Sequence, residues 1–260
     1  METLGPTGAA PGPDPGGVRF VVVGARRTGT NMLCTLLDSH PAILCHHEVF
    51  NPRGIFCAQG LRDADFSLGS MEERDADPVA FVDRVWGRPE GRHCLGFKLT
   101  RGQAEPVLLH VLADRSVRKI VLRRRNRVKA HVSERIAERL DQWEVYDEAE
   151  LDPVRPRVEI DADRLRSEVA GNERFYRCIE SRMEATGQTP LRIDYEDLGD
   201  PGERARLLRF LDVDPEGAVL EARSVKQNPR DLREVVANFE ALAEALEGDP
   251  LRAELFDLES

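Results

Sequence analysis

Residues 24 to 31 have the types and spacing of an anion-binding loop. Gly24 and Gly29 are separated by four residues, as in phosphate loops of the form G-x-x-x-x-G-K-[ST], but Thr30 and Asn31 stand at the Lys and Ser/Thr positions. Backbone N–H groups around Gly29, at the start of a helix, would bind an anion, and Arg27 would supply the charge of the missing lysine. The candidate binding residues are Arg26, Arg27, Thr28, Gly29, Thr30 and Asn31. The alternative is a tight strand-to-helix turn without a ligand.

A second basic cluster follows a later apolar run. Five Arg and Lys residues fall within residues 123–129, at the end of a predicted strand and the start of a predicted helix. Basic residues oppose the dipole of a helix N-terminus, so a bound anion would stabilise them there. Alternation along the strand predicts that Arg123 and Arg125 share a face and that Arg124 points away. A solvated, basic helix start is the alternative.

The elements that would position both clusters alternate between strand and helix. A continuous apolar run at 18–24 predicts a strand buried on both faces and therefore parallel, and residues 93–100, 118–124 and 190–198 are three further predicted strands. Helical spacing follows three of them, and residues 231–248 predict an amphipathic C-terminal helix. The pattern predicts an α/β, three-layer fold in which helices flank a central parallel sheet. Residues 53–92 are expected to be an irregular insertion that covers the substrate, or else a surface excursion.

Composition narrows the possible partners. The 260 residues carry 37 basic and 47 acidic side chains, a net charge of -10, which argues against general binding to nucleic acid or to membrane surfaces. No apolar run approaches the roughly 20 residues of a membrane span. Five cysteines without a C-x-x-C pair suit a reducing, cytoplasmic setting. We expect a disordered tail at 1–17, not a signal peptide, and one domain at 18–260.

The two corners together resemble signatures of the sulfotransferase family that uses 3'-phosphoadenylyl sulfate (PAPS). Residues 27–31, Arg-Thr-Gly-Thr-Asn, look like the family's loop for the 5'-phosphosulfate. Arg125 and Ser133, eight residues apart, match the pair that grips the 3'-phosphate, although Arg127 replaces the usual proline, as in bacterial branches. The resemblance implies a P-loop NTPase-like sulfotransferase fold and PAPS as the donor, with no metal required.

Later segments extend the resemblance to about residue 248. "YEDL" at 195–198 and the run from Val225 to Leu242 look like bacterial members. The Arg-Lys-Gly phosphate motif of the animal cytosolic enzymes is absent, and Lys226 is a candidate substitute.

The resemblance also suggests catalytic residues. Glu48 in "CHHEVFNP" matches the glutamate that some bacterial members use as general base, and His47 is the reserve. Burial and a neighbouring sulfate would raise the pKa of such a carboxylate. Lys98 and Arg27 would stabilise the charge of the transferred group. A structural ion pair for Glu48, a solvent-exposed Lys98 and a His-His-Glu metal site are the alternatives.

Three functions remain open at this point. The first is a bacterial, cytoplasmic sulfotransferase acting on a hydroxyl or amine of a small-molecule, sugar or lipid acceptor. The second is a P-loop kinase or nucleotide hydrolase with a degenerate loop, which would need magnesium. The third is a binder that has lost turnover. The acceptor residues are expected within 53–92 and 140–172, and the oligomeric state is not predicted.

Overall fold

Five parallel strands form the centre of the protein in a computed structural model that describes residues 17–62, 65–151, 155–223 and 229–258. The expected tail therefore lies, apart from Gly17, outside the described residues. The strands are β1 (Val18–Gly24), β2 (Ile43–His46), β3 (Cys94–Thr100), β4 (Val117–Arg123) and β5 (Leu191–Asp194). Their order in the sheet is β2-β3-β1-β4-β5, and every pairing is parallel.

Nine helices surround or extend this sheet within the described residues. They are α1 (Thr30–Asp38), α2 (Met71–Ala76), α3 (Pro78–Trp86), α4 (Glu105–Ala113), α5 (Arg127–Leu140), α6 (Ala162–Ala185), α7 (Pro201–Phe210), α8 (Phe239–Ala245) and α9 (Leu251–Phe256). Alternate strand residues lie on opposite sides of the sheet: Phe20 and Val22 belong to an apolar cluster with residues of α1 and α7, while Val21 and Val23 belong to a second cluster with residues of α3, α4 and α6. The α/β three-layer fold with a central parallel sheet is confirmed.

A third apolar cluster joins α5 and the start of α6 to the C-terminal region. The predicted single helix at 231–248 is wrong here, because the chain forms a 3-10 turn at Leu232–Glu234 and α8 begins only at Phe239. The backbones of Val235 and Ala237 hydrogen-bond Val158, each at 2.8 Å, and so are not available for a helix ladder. Buried apolar residues alone produced the amphipathic pattern.

The segment 53–92 is not an irregular insertion. Within it, α2 begins with a capping box in which Ser70 and Glu73 exchange side-chain and backbone hydrogen bonds. Helix α3 follows, and its Phe81 and Trp86 are part of the core beside β3. Among the described residues of this segment, those that line the cavity described below are Arg53 and Phe56.

The sheet brings the two basic corners together. Strands β1 and β4 are neighbours, with Gly24 opposite Leu122, so the turns that follow them leave the same edge side by side. The chain passes from β3 on one side of β1 to β4 on the other, which makes this edge a topological switch point. Ligands of open α/β sheets bind in the crevice at such a point.

Candidate active site

A cavity of about 730 Å³ opens at this edge of the sheet. Its walls come from the turn after β1, the loop after β2, the end of β3, the first turns of α5 and the segment that follows α5. The basic residues of the wall are Arg26, Arg27, Arg53, Lys98, Arg124 and Lys129. Its acidic residues are Glu48, Asp141 and Glu144. The cavity is therefore a local concentration of positive charge in an acidic chain.

The turn after β1 has the geometry of a loop that comes close to a ligand. Gly29 has φ of 90°, in the left-handed region, and a Cβ there would lie 2.2 Å from the ring of Tyr195. Helix α1 begins at this glycine without a side-chain cap, whereas Asn126 caps α5 through the backbone N–H of Lys129 at 2.8 Å. Glycine is thus required at this position both by backbone conformation and by space.

Arg27 joins the two corners. Its Nε donates to Ser133 Oγ at 2.9 Å, and its NH1 donates to the carbonyl of Trp143 at 2.6 Å. Burial and the nearby charge of Arg124 lower the pKa of Arg27 to about 10, so it stays protonated at neutral pH. Two sequence-predicted residues that lie about a hundred positions apart therefore meet in one cavity wall.

The second corner presents Arg124, and not Arg125, to the cavity. Strand β4 ends at Arg123, so the predicted alternation does not extend to the next two residues. Arg124 packs over the Tyr195 ring, and its NH1 donates to the Arg27 carbonyl at 3.3 Å. The buried Nε of Arg124 has no hydrogen-bond partner among the described residues. Arg124 lines the cavity, so its guanidinium can contact a ligand there.

Arg125 points to solvent. It is half exposed, and its NH1 contacts Asp197 at 2.7 Å and Asp194 at 3.1 Å, outside the set of cavity-lining residues. The Arg123 side chain contacts a different element, helix α6, through Glu180 at 2.9 Å. The expectation that Arg123 and Arg125 share a face while Arg124 points away is therefore wrong.

Glu48 and Lys98 form an ion pair at the other end of the cavity. Lys98 Nζ lies 3.2 Å from Glu48 Oε1 and also hydrogen-bonds Asn31 Oδ1. Lys98 is 1% exposed, because β3 places its side chain on the α1 face of the sheet. The alternative of a solvent-exposed lysine is wrong.

The pKa of Glu48 moves in the direction opposite to the expected one. Burial raises it, but the charge of Lys98 and hydrogen bonds from Asn51 and Gln103 outweigh burial and lower it below its usual range. The side-chain amide of Asn51 donates to the second carboxylate oxygen. Glu48 is therefore an ionised acceptor of protons and hydrogen bonds at neutral pH.

Glu144 is a cavity residue that the sequence did not predict. Its carboxylate lies 4.0 Å from Lys98 Nζ and 3.6 Å from His47 Nδ1, and it accepts a hydrogen bond from Tyr146 at 2.7 Å. Despite burial, these groups hold the pKa of Glu144 far below its usual range. The segment after α5 has no motif of its own, so only the folded chain shows this contact.

The reserve base, His47, lies behind the cavity wall. It is 1% exposed and is not a lining residue. Burial lowers the pKa of His47, and the nearby Glu144 only partly opposes this effect. Of the two candidate bases, Glu48 faces the cavity.

The other residues of the turn after β1 either line the cavity or are buried behind its wall. Arg26 lines the cavity, half exposed, and pairs with Glu134 at 3.3 Å. Thr30 and Asn31 also line it. Thr28 is buried behind the wall, where its hydroxyl donates to the Ala25 carbonyl at 2.8 Å. Lys226 lies outside the described residues.

Among the described residues, no group of three or more His, Cys, Asp or Glu side chains is arranged to hold a metal ion. No helix in the described ranges is both long enough and apolar enough to cross a membrane.

Comparison with known proteins finds similarity among solved structures. No family model matches the chain, and no curated protein matches it. Among solved structures, the chain is similar to a sulfotransferase from Alicyclobacillus acidocaldarius, with 18% sequence identity, a TM-score of 0.43, and coverage of 92% of this chain and 94% of that chain.

Proposed function

We propose that the protein is a sulfotransferase that moves a sulfuryl group from PAPS to a hydroxyl or amine of a small-molecule, sugar or lipid acceptor. One observation carries the proposal. The cavity holds a cationic end built from Arg27, Ser133 and Arg124, and an end where Glu48 pairs with Lys98. Such a cavity can bind an anionic donor at one end and accept a proton at the other.

The cationic end fits a donor that carries separate phosphate groups. Arg124 lines the cavity, and Ser133 contributes a hydroxyl beside the Arg27 guanidinium. Guanidinium groups bind phosphate through charge-assisted hydrogen bonds. The uncapped start of α1 adds backbone N–H groups next to them. PAPS would supply the activated sulfuryl group, which leaves an adenosine bisphosphate behind.

The other end fits proton removal and charge stabilisation. Glu48 is ionised, faces the cavity and would take the proton of the acceptor hydroxyl or amine. Lys98 contacts both Glu48 and Asn31 of the loop, and Lys98 and Asn31 would hold the oxygens of the transferred group. Arg27 holds the opposite side of the loop in place.

Aromatic and polar side chains from two segments would contact the acceptor. Phe56 comes from the loop after β2, and Trp143 and Tyr146 come from the segment after α5. Both segments lie in the ranges where acceptor residues were expected. The expectation of a cytoplasmic protein stays a prediction from the sequence.

The direct test combines ligand binding with turnover. Adenosine 3',5'-bisphosphate should raise the melting temperature without magnesium, and labelled sulfate should pass from PAPS to compounds in a panel of phenols, sugars, glycolipids and amines. If ATP with magnesium stabilises the protein and the bisphosphate does not, the kinase or hydrolase hypothesis replaces this one. Bisphosphate binding without transfer to any acceptor would indicate a non-catalytic binder.

A further inference from the structure

Arg74 is a buried cation that lies outside the cavity and whose position the proposed chemistry does not explain. It belongs to α2 and is 2% exposed. Burying a guanidinium is costly unless its N–H groups find partners. Its one ion-pair partner among the described residues is the neighbouring Asp75, at 2.7 Å from Nε, and the Asp75 side chain is 61% exposed.

The rest of the guanidinium serves a single loop. NH1 of Arg74 donates to the backbone carbonyls of Val49 at 3.0 Å, Asn51 at 2.8 Å and Gly54 at 2.9 Å. These carbonyls converge on one nitrogen, so the loop is wrapped around the cation. A lysine at this position would lack the Nε–H that contacts Asp75.

This loop begins at the proposed base. The backbone N–H groups of Asn51 and Phe56 both donate to the Glu48 carbonyl, at 3.1 and 3.3 Å. The side-chain amide of Asn51 donates to the Glu48 carboxylate, while the backbone carbonyl of Asn51 accepts from Arg74. Asn51 therefore connects the buried cation to the carboxylate through one residue.

We propose that Arg74 is a positioning residue that fixes the turn at 49–54 so that the Asn51 amide stays in contact with the Glu48 carboxylate. Arg74 acts through Asn51 and does not itself touch the cavity. This inference rests on the proposed function for its catalytic meaning, since Glu48 is the base only if the transfer occurs. The contact itself can be tested without turnover.

The surroundings of Glu48 define what the test must separate. Its charged and titratable neighbours are Lys98 from β3, Glu144 from the segment after α5, which reaches Lys98 at 4.0 Å, and His47, the preceding residue. None of them is bonded to Arg74 in the described structure. Loss of Arg74 should therefore act on Glu48 by removing the Asn51 hydrogen bond, which favours the ionised form of the carboxylate.

The experiment follows the Glu48 carboxyl carbon by ¹³C NMR during a pH titration, with its signal assigned by loss in Glu48→Gln. In Arg74→Gln the signal should titrate at higher pH than in the unaltered protein. Asn51→Ala should also raise the pKa of Glu48. The double variant Arg74→Gln/Asn51→Ala should show no further increase of this pKa over Asn51→Ala alone. If transfer occurs, kcat should fall on the order of tenfold in Arg74→Gln while KM for the donor changes little.

Arg204→Gln is the matched control. Arg204 also donates to backbone carbonyls, those of Leu198 at 2.7 Å and Leu220 at 3.1 Å, but it lies on α7, away from the loop. Arg204→Gln should lower the melting temperature of the protein without changing the pKa of Glu48.

Three results would overturn the inference. One is a Glu48 titration in Arg74→Gln that matches the Arg204→Gln control. Another is an Arg74→Gln substitution that raises the pKa of Glu48 by the same amount in the Asn51→Ala background as in the unaltered protein. If Arg74→Gln does not fold, Arg74→Met is measured by the same criteria, and failure of both to fold would assign Arg74 to stability alone. Absence of sulfuryl transfer in the unaltered protein would refute the proposed function but would leave the titration result intact.

Discussion

Arg27 Nε donates to Ser133 Oγ across 2.9 Å, which ties the turn after β1 to the second turn of α5. The two residues belong to separate basic corners of the sequence, and adjacent parallel strands carry them to one edge. The contact makes the cationic end of the cavity a single unit. Substitutions in either corner should therefore affect the same ligand.

Neighbouring arginines should differ sharply in their effect on nucleotide binding. Arg124→Gln removes a guanidinium that lines the cavity, so the affinity for adenosine 3',5'-bisphosphate should fall about 10- to 100-fold, as for a lost charge-assisted hydrogen bond. Arg125→Gln, its exposed neighbour, should change the affinity by less than about threefold. Isothermal titration calorimetry at one salt concentration measures both. The reverse order would restore Arg125 as the phosphate ligand.

Removal of the Glu48 charge should affect turnover more than donor binding. Glu48→Gln should lower kcat by about 100-fold or more, because the proton acceptor is lost, and should leave the affinity for the bisphosphate unchanged or stronger, because Lys98 is released. Steady-state transfer assays and calorimetry separate the two effects. Glu203→Gln, which removes the partner of Arg206 on α7 at 3.0 Å and lies away from the cavity, is the control. Unchanged kcat in Glu48→Gln would exclude Glu48 as the base.

Acid should destabilise the protein through the cavity carboxylates. The pKa values of Glu48 and Glu144 are lowered in the folded protein, so each contributes stability that is fully present above the unfolded pKa of about 4.3. That contribution is lost as the pH falls through the lower folded values. Urea unfolding between pH 7 and about pH 3 should give a smaller loss of stability for Glu144→Gln than for the unaltered protein. Glu184→Gln, at an exposed position of α6, is the control, and it should lose as much stability over this pH range as the unaltered protein does.

Gly29 should not tolerate a side chain. Gly29→Ala places a Cβ 2.2 Å from the Tyr195 ring at φ of 90°, and should cost at least about 2 kcal/mol of stability together with most of the bisphosphate affinity. Gly60→Ala is the control, because a Cβ there meets nothing within 4 Å. Chemical denaturation and calorimetry measure the two losses. Equal stability of the two variants would contradict the close approach of Tyr195.

The sheet and the first corner could be predicted from the sequence because their signals are local. An apolar run as continuous as 18–24 is typical of a strand buried on both faces, and a glycine at the following turn marks a backbone position with special conformation. Strand β2 was missed because its four residues, 43–46, fall between a helix and a loop without a turn signal of their own.

The details of the site depend on contacts that no local pattern contains. Arg124 faces the cavity because β4 ends one residue earlier, and the end of a strand depends on its neighbours in the sheet. Glu144 reaches Lys98 from a segment without periodicity, and Arg74 reaches the Glu48 loop from α2. The direction of the Glu48 pKa depended on Lys98, Asn51 and Gln103 being close together, which only the fold decides.

Lys98 stands opposite Val22 in the register of β3 with β1, so its ammonium group is placed by a strand that is paired on both sides in the central sheet. The aromatic residues Phe56, Trp143 and Tyr146 stand on connecting segments instead. Loops accept insertions and replacements far more readily than paired central strands. Selection for a new acceptor, in nature or in the laboratory, should therefore change the sequences of these connecting segments, while Lys98 keeps its position on β3.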